Sequence, residues 1–283
     1  MRPEPQRDLL RDLPTELPAD LLAGAIRPDW AAPTGIVALM SGRAGGVSAA
    51  PFDSLNLRPA ALGGDAMDAP AAVLENQRRF ALALGAEPVW LEQVHGADVV
   101  RLHAEHLAAD APLPRADASI TTEPGLACAV LVADCLPLLL CSRDGRAVGA
   151  VHAGWRGLSL GVIERSVALL CEAAGCAPDQ VLAWLGPCIG PAAFEVGADV
   201  LLAFGQQPDT ADPALFRSSP RAEGSPRWRA DLAALARQRL AAQGVVNVSG
   251  GQWCTATDAS RFFSFRRDGR TGRLAAAIAL RSG

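Results

Sequence analysis

Residues 125–155 read "GLACAVLVADCLPLLLCSRDGRAVGAVHAGW" and contain three apolar runs with two short polar breaks between them. Asp134–Pro137 separates the first run from the second. Asp144–Gly145, a pair typical of tight hairpin turns, separates the second run from the third. Short continuous apolar runs are typical of strands that are buried on both faces. This stretch therefore predicts three consecutive core strands.

The chain on either side of this stretch alternates predicted strands with predicted helices. Apolar spacing predicts strands over Ile36–Met40 and 180–190, and helices over 69–85, 159–175, 197–207 and 231–244. Two hairpins are predicted, one over 87–102 with a tight turn at His95–Gly96 and one in the tail around Asp268–Gly269. Residues 208–229 are polar and contain prolines, which predicts a surface excursion. Strands joined by hairpins, with helices between them, predict an α+β fold with mixed sheets.

Length and composition predict one large domain preceded by a short arm. The chain has 283 residues, of which 50% are hydrophobic and 20% are charged, as expected of a globular protein with a substantial core. Residues 1–30 are rich in proline and acidic side chains and are expected to form a loosely packed arm. Residues 31–283 are then one catalytic domain.

The charge balance and the N-terminus exclude several kinds of partner. A net charge of −4 gives no overall attraction to nucleic acid or to an anionic membrane. The N-terminus lacks an uninterrupted apolar region, and no apolar run is long enough to span a bilayer. We therefore expect a cytoplasmic protein with no nucleic-acid polymer or membrane partner, whose seven cysteines are thiols or metal ligands.

Missing residue types and motifs narrow the chemistry further. The chain has no lysine, which excludes Schiff-base chemistry and the lysine-bearing phosphate loop of nucleotide-binding proteins. No G-x-G-x-x-G sequence opens a helix after a predicted strand, so a dinucleotide-binding fold has no support.

His95, Cys135 and His152 each lie where an apolar run ends, which is where a scaffold presents side chains to a cleft. Two imidazoles and one thiolate match the ligand preference of Zn²⁺, and three protein ligands leave a coordination position open. The alternative is that the histidines are core residues with a hydrogen-bond partner. Spacing alone leaves both interpretations open.

Several other polar residues in the same loops are candidate site residues. Asp134 either acts on the substrate or nucleophile or caps its turn. Arg156, in a glycine loop before a helix, and Arg43, in a glycine-rich loop, suit an anion or a surface ion pair. Arg266 and Arg267 are expected to alternate across a strand, so that at most one of them faces a cleft.

Six blocks together resemble the YfiH family, which is also called the laccase-domain, polyphenol oxidase or purine nucleoside phosphorylase family. In chain order the blocks are "SGRAGGVSAAPFDSLNL", "QVHGADVV", "ADCLPLLL", "HAGWRGL", "GPCIGPAAFEVG" and "FFSFRRDGRTGR". They run from about Gly35 to Leu280 in the order of the family, and this order is far more specific than any single block.

The resemblance implies a four-layer α/β/β/α sandwich, similar to bacterial toxin cysteine hydrolases, and a zinc site at His95, Cys135 and His152. Cu²⁺ is also expected to bind such a site in vitro, because copper has the higher intrinsic affinity. It implies phosphorolysis of adenosine, inosine, guanosine and methylthioadenosine, with adenosine deamination as a second reaction, by a monomer or homodimer. The small-molecule partners are then a nucleoside and phosphate. We expect catalytic roles for Asp134, Cys135 and His152. We expect Arg43, Gln93, Arg156 and Arg266 to bind the substrate or phosphate.

Three rival functions remain at this point. A copper-dependent polyphenol oxidase is disfavoured because multicopper centres use many imidazoles, whereas this chain has four histidines and no H-x-H pair. A cysteine hydrolase or amidase that edits peptidoglycan precursors would use Cys135 as nucleophile and His152 as base. A zinc-stabilised binding module would close the site with a fourth ligand such as Cys188 or Cys254.

Overall fold

The computed structural model of the chain describes residues 19–64, 67–108 and 110–281. Residues 1–18 of the predicted arm lie outside this part of the chain. The rest of the arm contacts the domain, because Leu21 is buried in an apolar cluster and the backbone of Ile26 pairs with that of Met40.

The strands, numbered in chain order, form two large mixed sheets and one small sheet. The first sheet has the order β1 (Ile36–Met40), β13 (Leu274–Leu280), β5 (Leu126–Val132), β2 (Glu87–Val89). The second has the order β12 (Asn247–Gly250), β8 (Val181–Leu185), β6 (Leu136–Ser142), β7 (Val148–Ala153), β4 (Ala118–Thr121), β3 (Val99–Arg101). The small sheet has the order β10 (Phe216–Ser218), β11 (Trp228–Ala230), β9 (Glu195–Val196).

The pairs β2–β5, β3–β4 and β8–β12 are parallel, and the other pairs are antiparallel. The helices are α1 (Ala19–Gly24), α2 (Pro70–Leu84), α3 (Trp155–Ser159), α4 (Val162–Ala174), α5 (Ala198–Ala203), α6 (Leu232–Ala242) and α7 (Phe265–Asp268). None of the helices in the described residues is long and apolar enough to cross a membrane.

The two large sheets stack face to face, with helices on both outer sides. Cys128 and Val130 of β5 face the cluster between the sheets, whereas Ala129 and Leu131 face the cluster that contains α2. On β6, Leu139 faces the cluster between the sheets and its neighbours face α4 and α6. Because both faces of these strands are covered, their sequences are continuously apolar rather than alternating. The α+β class and its mixed sheets are confirmed.

The three strands predicted in residues 125–155 are present, but they belong to different sheets. β5 lies in the four-stranded sheet, whereas β6 and β7 form a hairpin in the six-stranded sheet. The turn at Asp134 therefore carries the chain from one sheet to the other, and the turn at Asp144–Gly145 reverses it within a sheet.

The predicted hairpin over 87–102 is wrong. Glu87–Val89 pairs in parallel with β5, and Val99–Arg101 pairs in parallel with β4 in the other sheet. The turn at His95–Gly96 lies in a segment that crosses between the sheets. The alternation of apolar residues predicts a strand but not its neighbour, and here both neighbours are distant in sequence.

The predicted tail hairpin around Asp268–Gly269 is also wrong. Phe265–Asp268 forms α7, whose first turn is capped by the Ser264 hydroxyl, which accepts a hydrogen bond from the Arg267 N–H at 3.3 Å. Arg266 and Arg267 consequently lie on a helical turn rather than alternating across a strand.

The polar segment 208–229 is more ordered than a surface excursion. It contributes strands β10 and β11 to the small sheet, with Phe216 and Trp228 buried in the main apolar cluster. The helix predicted over 159–175 is present as α4 (Val162–Ala174), which begins after Gly161 in the left-handed region (φ 89°), and the short helix α3 ends before it at Ser159.

Candidate metal centre and its cleft

The structure brings His95, Cys135 and His152 together. Their ligand atoms all lie within 4.8 Å of one another, and His95 Nε2 is 3.8 Å from Cys135 Sγ. The two imidazole rings meet edge to face with their centroids 4.8 Å apart. Two ring nitrogens and a thiol at this spacing can hold one metal ion of the zinc type.

The β6–β7 hairpin places two of the three residues. The antiparallel register sets His152 opposite Pro137, so that Cys135 lies just beyond the paired end of the hairpin beside His152. His95 comes from the crossing segment after β2. Three separate segments therefore supply the site, as expected of a centre built on turns of a rigid scaffold.

Asp117, which was not predicted from the sequence, fixes the positions of His152 and of the turn at His95. Its buried carboxylate accepts a hydrogen bond from His152 Nδ1 at 2.8 Å. It also accepts the backbone N–H groups of Val94 (3.2 Å), His95 (2.9 Å) and Gly96 (2.7 Å). Because Nδ1 of His152 is bound to a carboxylate, Nε2 is the nitrogen left to bind a metal.

Burial raises the pKa of Asp117, but hydrogen bonds from His152 and from the backbone outweigh it and keep the pKa below its ordinary value. The one sequence signal for this residue is its position, an aspartate between two alanines directly before a buried strand. A buried carboxylate at such a position requires partners, but the sequence does not say which.

Two residues of the site have backbones in the left-handed region although they are not glycines. His95 has φ 59° and Asp134 has φ 104°. Such conformations cost of order 1–3 kcal/mol and persist where surrounding contacts impose them. The three N–H bonds to Asp117 impose the turn at His95, and contacts of the Asp134 side chain impose the other.

Asp134 uses both carboxylate oxygens within the protein. Thr255 Oγ1 donates to Oδ1 at 2.6 Å, and the Arg266 backbone N–H donates to Oδ2 at 2.6 Å. The Asp134 backbone carbonyl also accepts the Ile189 N–H at 2.8 Å. Asp134 lines the cleft, and its contacts tie the Cys135 turn to two distant segments.

The electrostatics favour the metal-binding form of Cys135. Burial raises the pKa of its thiol, but the charges and hydrogen bonds of His152 and His95 outweigh burial and lower the pKa to about 6. Burial lowers the pKa of His152, but the charge of Cys135 and the hydrogen bond to Asp117 raise it to about 9. At neutral pH these shifts favour a Cys135 thiolate beside a protonated His152, so a metal ion that binds both residues displaces the His152 proton.

Gly154 leaves space for the ligands. A Cβ atom at this position would lie 3.0 Å from Cys135 Sγ and 3.2 Å from His95 Cδ2. Gly154→Ala is expected to lower the affinity of the site for a divalent metal ion about 10- to 100-fold, because overpacking of this kind costs about 1–3 kcal/mol. Chelator competition measures the effect. Gly35→Ala, with no atom within 4 Å of its new Cβ, is the matched control and should not change the affinity.

His95, Cys135 and His152 lie in a cleft of about 630 Å³. Its wall combines these three residues with cationic and aromatic side chains. The cationic residues are Arg58, Arg156, Arg266 and Arg273, and the aromatic residues are Trp155, Phe194 and Phe265. This composition suits a ligand that has both an anionic part and a flat apolar part.

The four arginines contact neutral groups rather than carboxylates in the described part of the chain. Arg58 donates to the Leu62 carbonyl at 3.4 Å, Arg273 to the carbonyls of Thr271 and Gly272, and Arg266 to those of Ala193 and Glu195. Arg156 stacks on Trp155, with its guanidinium carbon 4.5 Å from the ring centroid. Their charges are thus available to an anion.

The predicted phosphate- and substrate-binding residues fall into two groups. Arg156 and Arg266 line the cleft, whereas Arg43 does not and instead binds Asp53 (3.1 Å) and the Ala259 carbonyl (3.0 Å). Gln93 lines the cleft, but its amide makes two hydrogen bonds, at 2.9 Å and 2.8 Å, to the Leu131 backbone. Arg58 and Arg273, which also line the cleft, were not predicted from the sequence.

A closed four-ligand site is not present in residues 19–64, 67–108 and 110–281. The metal-compatible cluster there consists of His95, Cys135 and His152, and neither Cys188 nor Cys254 belongs to it. The prediction of a fourth cysteine ligand, on which the zinc-stabilised binding module depended, is therefore wrong for this part of the chain.

The chain is similar in sequence and in structure to known proteins of one family. The family model described as multi-copper polyphenol oxidoreductase laccase matches residues 37–281. The purine nucleoside phosphorylase YfiH of Shigella flexneri is 48% identical over 255 residues, covering 89% of this chain and 97% of that protein. A purine nucleoside phosphorylase of Pseudomonas aeruginosa is 47% identical over 254 residues, with the same coverage. A crystal structure of a Neisseria meningitidis protein is similar with a TM-score of 0.80 and 41% identity, covering 92% of this chain and 100% of that one.

Proposed function

The chain belongs to the YfiH, or laccase-domain, family, and from this premise we propose that it is a zinc-dependent purine nucleoside phosphorylase. Its substrates are adenosine, inosine, guanosine and methylthioadenosine together with inorganic phosphate, and adenosine deamination is a second reaction of the same site. The observation that carries the proposal is a cluster of three metal-compatible side chains in one cleft with four arginines that have no carboxylate partner among the described residues.

The residues at the centre fit a zinc ion. Cys135 supplies a thiolate, and His152 presents Nε2 because Asp117 occupies Nδ1. The absence of a side chain at Gly154 leaves room beside His95 and Cys135. When bound, zinc supplies Lewis acidity to a substrate or water oxygen in the cleft.

Arg58 and Arg273 are best suited to bind phosphate. Burial and the neighbouring charge of Arg58 lower the pKa of Arg273, whereas the charges of Cys135 and Asp134 raise it. Arg58 and Arg273 repel each other, both line the cleft, and in the described chain both donate to backbone carbonyls rather than to a carboxylate. An anion relieves this repulsion and accepts charge-assisted hydrogen bonds from both groups. Arg156 and Arg266 extend the cationic wall of the cleft. Arg43 has no part in this proposal.

The aromatic side chains suit the purine ring. Phe265 is 60% exposed, unusual for a large apolar residue, and lines the cleft together with Phe194 and Trp155. A purine stacked on such faces buries apolar surface that is otherwise in contact with water. In phosphorolysis a phosphate oxygen then bonds to ribose C1′ while the C1′–N9 bond breaks and the purine takes up a proton.

Asp134 is a positioning residue in this proposal. Its carboxylate is bound to Thr255 and to the Arg266 backbone, so it holds the Cys135 turn against the segment that carries Phe265 and Arg266. Gln93 acts similarly, by fixing the segment before His95 to the edge of β5.

Incubation of the metal-loaded protein with adenosine tests the function directly. We expect adenine and ribose 1-phosphate when phosphate is present, and neither product without phosphate. Inosine and ammonia at a rate that does not depend on phosphate report the deaminase reaction separately. Inosine and ammonia as the sole products under both conditions would exclude the phosphorylase.

Removal of an arginine from the cleft should weaken the binding of phosphate more than the binding of the nucleoside. Arg273→Ala is expected to raise the KM for phosphate about 10- to 100-fold, since a hydrogen bond to a charged group contributes about 1.5–3 kcal/mol. Arg156→Ala should raise it as well. Initial rates at varied phosphate measure both effects. Arg270→Ala is the control, because Arg270 stacks on Phe52 outside the cleft. An unchanged KM for phosphate in Arg273→Ala would reject the assignment.

A cysteine hydrolase that edits peptidoglycan precursors is the second candidate, because a thiolate at Cys135 beside His152 is also the arrangement of a cysteine nucleophile. Metal content separates the two. A zinc-bound thiolate is protected from alkylation, so iodoacetamide should leave Cys135 of the zinc-loaded enzyme unmodified. Loss of activity in step with alkylation of Cys135 in zinc-loaded protein would favour the hydrolase.

The family description names a copper oxidase, but the described residues suit a single metal ion. Two of the four histidines, His103 and His106, lie apart from the centre, and His103 Nδ1 contacts Glu123 at 2.7 Å. A site of two imidazoles and one thiolate also binds Cu²⁺. Oxidase activity in copper-containing buffer would therefore reflect occupancy of this same site.

A further inference from the structure

A second cavity, of about 190 Å³, lies on the other side of the loop that contains Ile189. Its lining includes two thiols, Cys188 and Cys254. Ile189 lines both this cavity and the metal cleft, so the two spaces share one wall.

The backbone sets the two cysteines side by side. Cys188 and Cys254 are direct partners in a parallel β-bridge, and the Thr255 N–H donates to the Cys188 carbonyl at 2.9 Å. Neighbouring strands lie about 4.8 Å apart. This separation is within the Cα–Cα range of about 4.4–6.8 Å that a disulfide spans. Both residues line the same cavity.

The surroundings of Cys254 are those of a reactive thiol. The Gly190 N–H donates to its Sγ at 3.1 Å, and any side chain at Gly190 would meet that sulfur, since a Cβ there lies 3.3 Å from it. Burial raises the pKa of Cys254, but hydrogen bonds from Thr257, Gly190 and Ala256 outweigh it and lower the pKa. Cys254 is partly exposed.

Cys188 is suited to the role of second thiol. It is 3% exposed, and burial raises its pKa, so it remains protonated. Its sulfur makes no hydrogen bond within the described residues. It is thus a buried, unpartnered thiol next to a reactive one.

We propose that Cys254 and Cys188 form a peroxide-sensitive dithiol site, in which Cys254 is oxidised first and Cys188 closes a disulfide. The Cys254 thiolate sulfur attacks one peroxide oxygen, the O–O bond breaks, and the leaving hydroxide takes a proton to form water. Cys254 is thereby oxidised by two electrons to a sulfenic acid. Cys188 sulfur then bonds to Cys254 sulfur, the S–O bond breaks, and the proton of Cys188 leaves with the hydroxide as a second water.

This site is connected to the metal centre through Asp134. Thr255, next to Cys254, donates to the Asp134 carboxylate, and Ile189, next to Cys188, donates to the Asp134 carbonyl. Asp134 precedes the ligand Cys135. Closing the disulfide shifts both neighbours of the bridge, so oxidation lowers turnover at the cleft.

The experiment uses zinc-loaded protein with Cys171→Ser and Cys176→Ser in the background. Trypsin then yields one peptide, 166–217, in which Cys188 is the single cysteine, and another, 240–261, in which Cys254 is. After a few equivalents of hydrogen peroxide, we expect these two peptides linked by a disulfide that dithiothreitol cleaves. Activity should fall at least about threefold and return on reduction.

Two single variants and the wild-type chain complete the test. In Cys188→Ser, Cys254 should be trapped as a sulfenic acid by dimedone, and in Cys254→Ser, Cys188 should remain a thiol and activity should resist peroxide. In the wild-type chain, Cys254 should be modified before the partly exposed Cys171 and Cys176. Oxidation of Cys135, Cys171 or Cys176 ahead of Cys254, or a linked pair with unchanged activity, would overturn the proposal.

Discussion

Replacement of Asp117 by asparagine is expected to lower the affinity for zinc about 10- to 100-fold, the usual effect of losing a carboxylate that orients a histidine ligand. Each carboxylate oxygen accepts two hydrogen bonds, Oδ1 from the His95 N–H and His152, and Oδ2 from the N–H groups of Val94 and Gly96. An asparagine has one acceptor oxygen, so its NH₂ group must face two donors. Chelator competition measures the affinity, with Asp209→Asn at an exposed position as the control.

The alanine variant isolates the structural part of this role. Asp117→Ala leaves His152 and three backbone N–H groups without their buried acceptor. We expect a loss of about 3–5 kcal/mol in the free energy of unfolding, as for other buried pairs that lose one partner. Urea unfolding in the presence of a chelator measures it without a contribution from the metal. A loss below about 1 kcal/mol would mean that Asp117 is not what holds the His95 turn.

Removal of the thiolate ligand should have the largest effect on activity. Cys135→Ala is expected to lower kcat/KM for phosphorolysis at least about 1,000-fold, since several kcal/mol of charge stabilisation are lost with the metal. Metal analysis of the purified variant should show less than one zinc per chain. Cys141→Ala is the matched control, because Cys141 is buried on β6, the strand that directly follows Cys135, and burial raises its pKa to about 12.

Metal analysis of Cys135→Ala also separates the phosphorylase from the hydrolase. Both functions require Cys135, so loss of activity alone does not distinguish them. In the phosphorylase, activity of the wild-type chain should rise with zinc content and vanish on chelation. A variant that retains one zinc per chain and activity within tenfold of the wild type would contradict the role of Cys135 as ligand.

Local pattern was sufficient for most of the elements. The helix predicted over 69–85 is present as Pro70–Leu84, with proline at its first position and Gly85 in the left-handed region (φ 78°) after its end. The helix over 231–244 is present as Leu232–Ala242, where the Asp231 side chain accepts the Ala234 N–H at 2.9 Å. Capping residues and helix-ending glycines act within one helical turn, so the residues next to a helix end are enough to predict it.

Pairing of strands was predicted less well. Both hairpins that were wrong, 87–102 and the tail, assumed that strands close in sequence pair with each other. The segment 87–102 instead contributes one strand to each sheet, and each of these strands pairs in parallel with a strand that comes later in the chain. Loop chemistry at Asp144–Gly145 did predict its hairpin, since the turn type is local.

The chain itself specified its long apolar core strands, the ends of its longer helices and the three metal-compatible side chains, because apolar runs must be buried and the residues that end them are left at the rim of the core. Only the tertiary structure determines which residues hold those three side chains in place and which residues line the cleft around them. Asp117 meets a histidine 35 positions away, and Arg58 stands near Arg273 from the far end of the sequence. A buried charge is stabilised by the groups that surround it in the folded protein. The spacing of residues along the chain does not show which distant residue will become its partner.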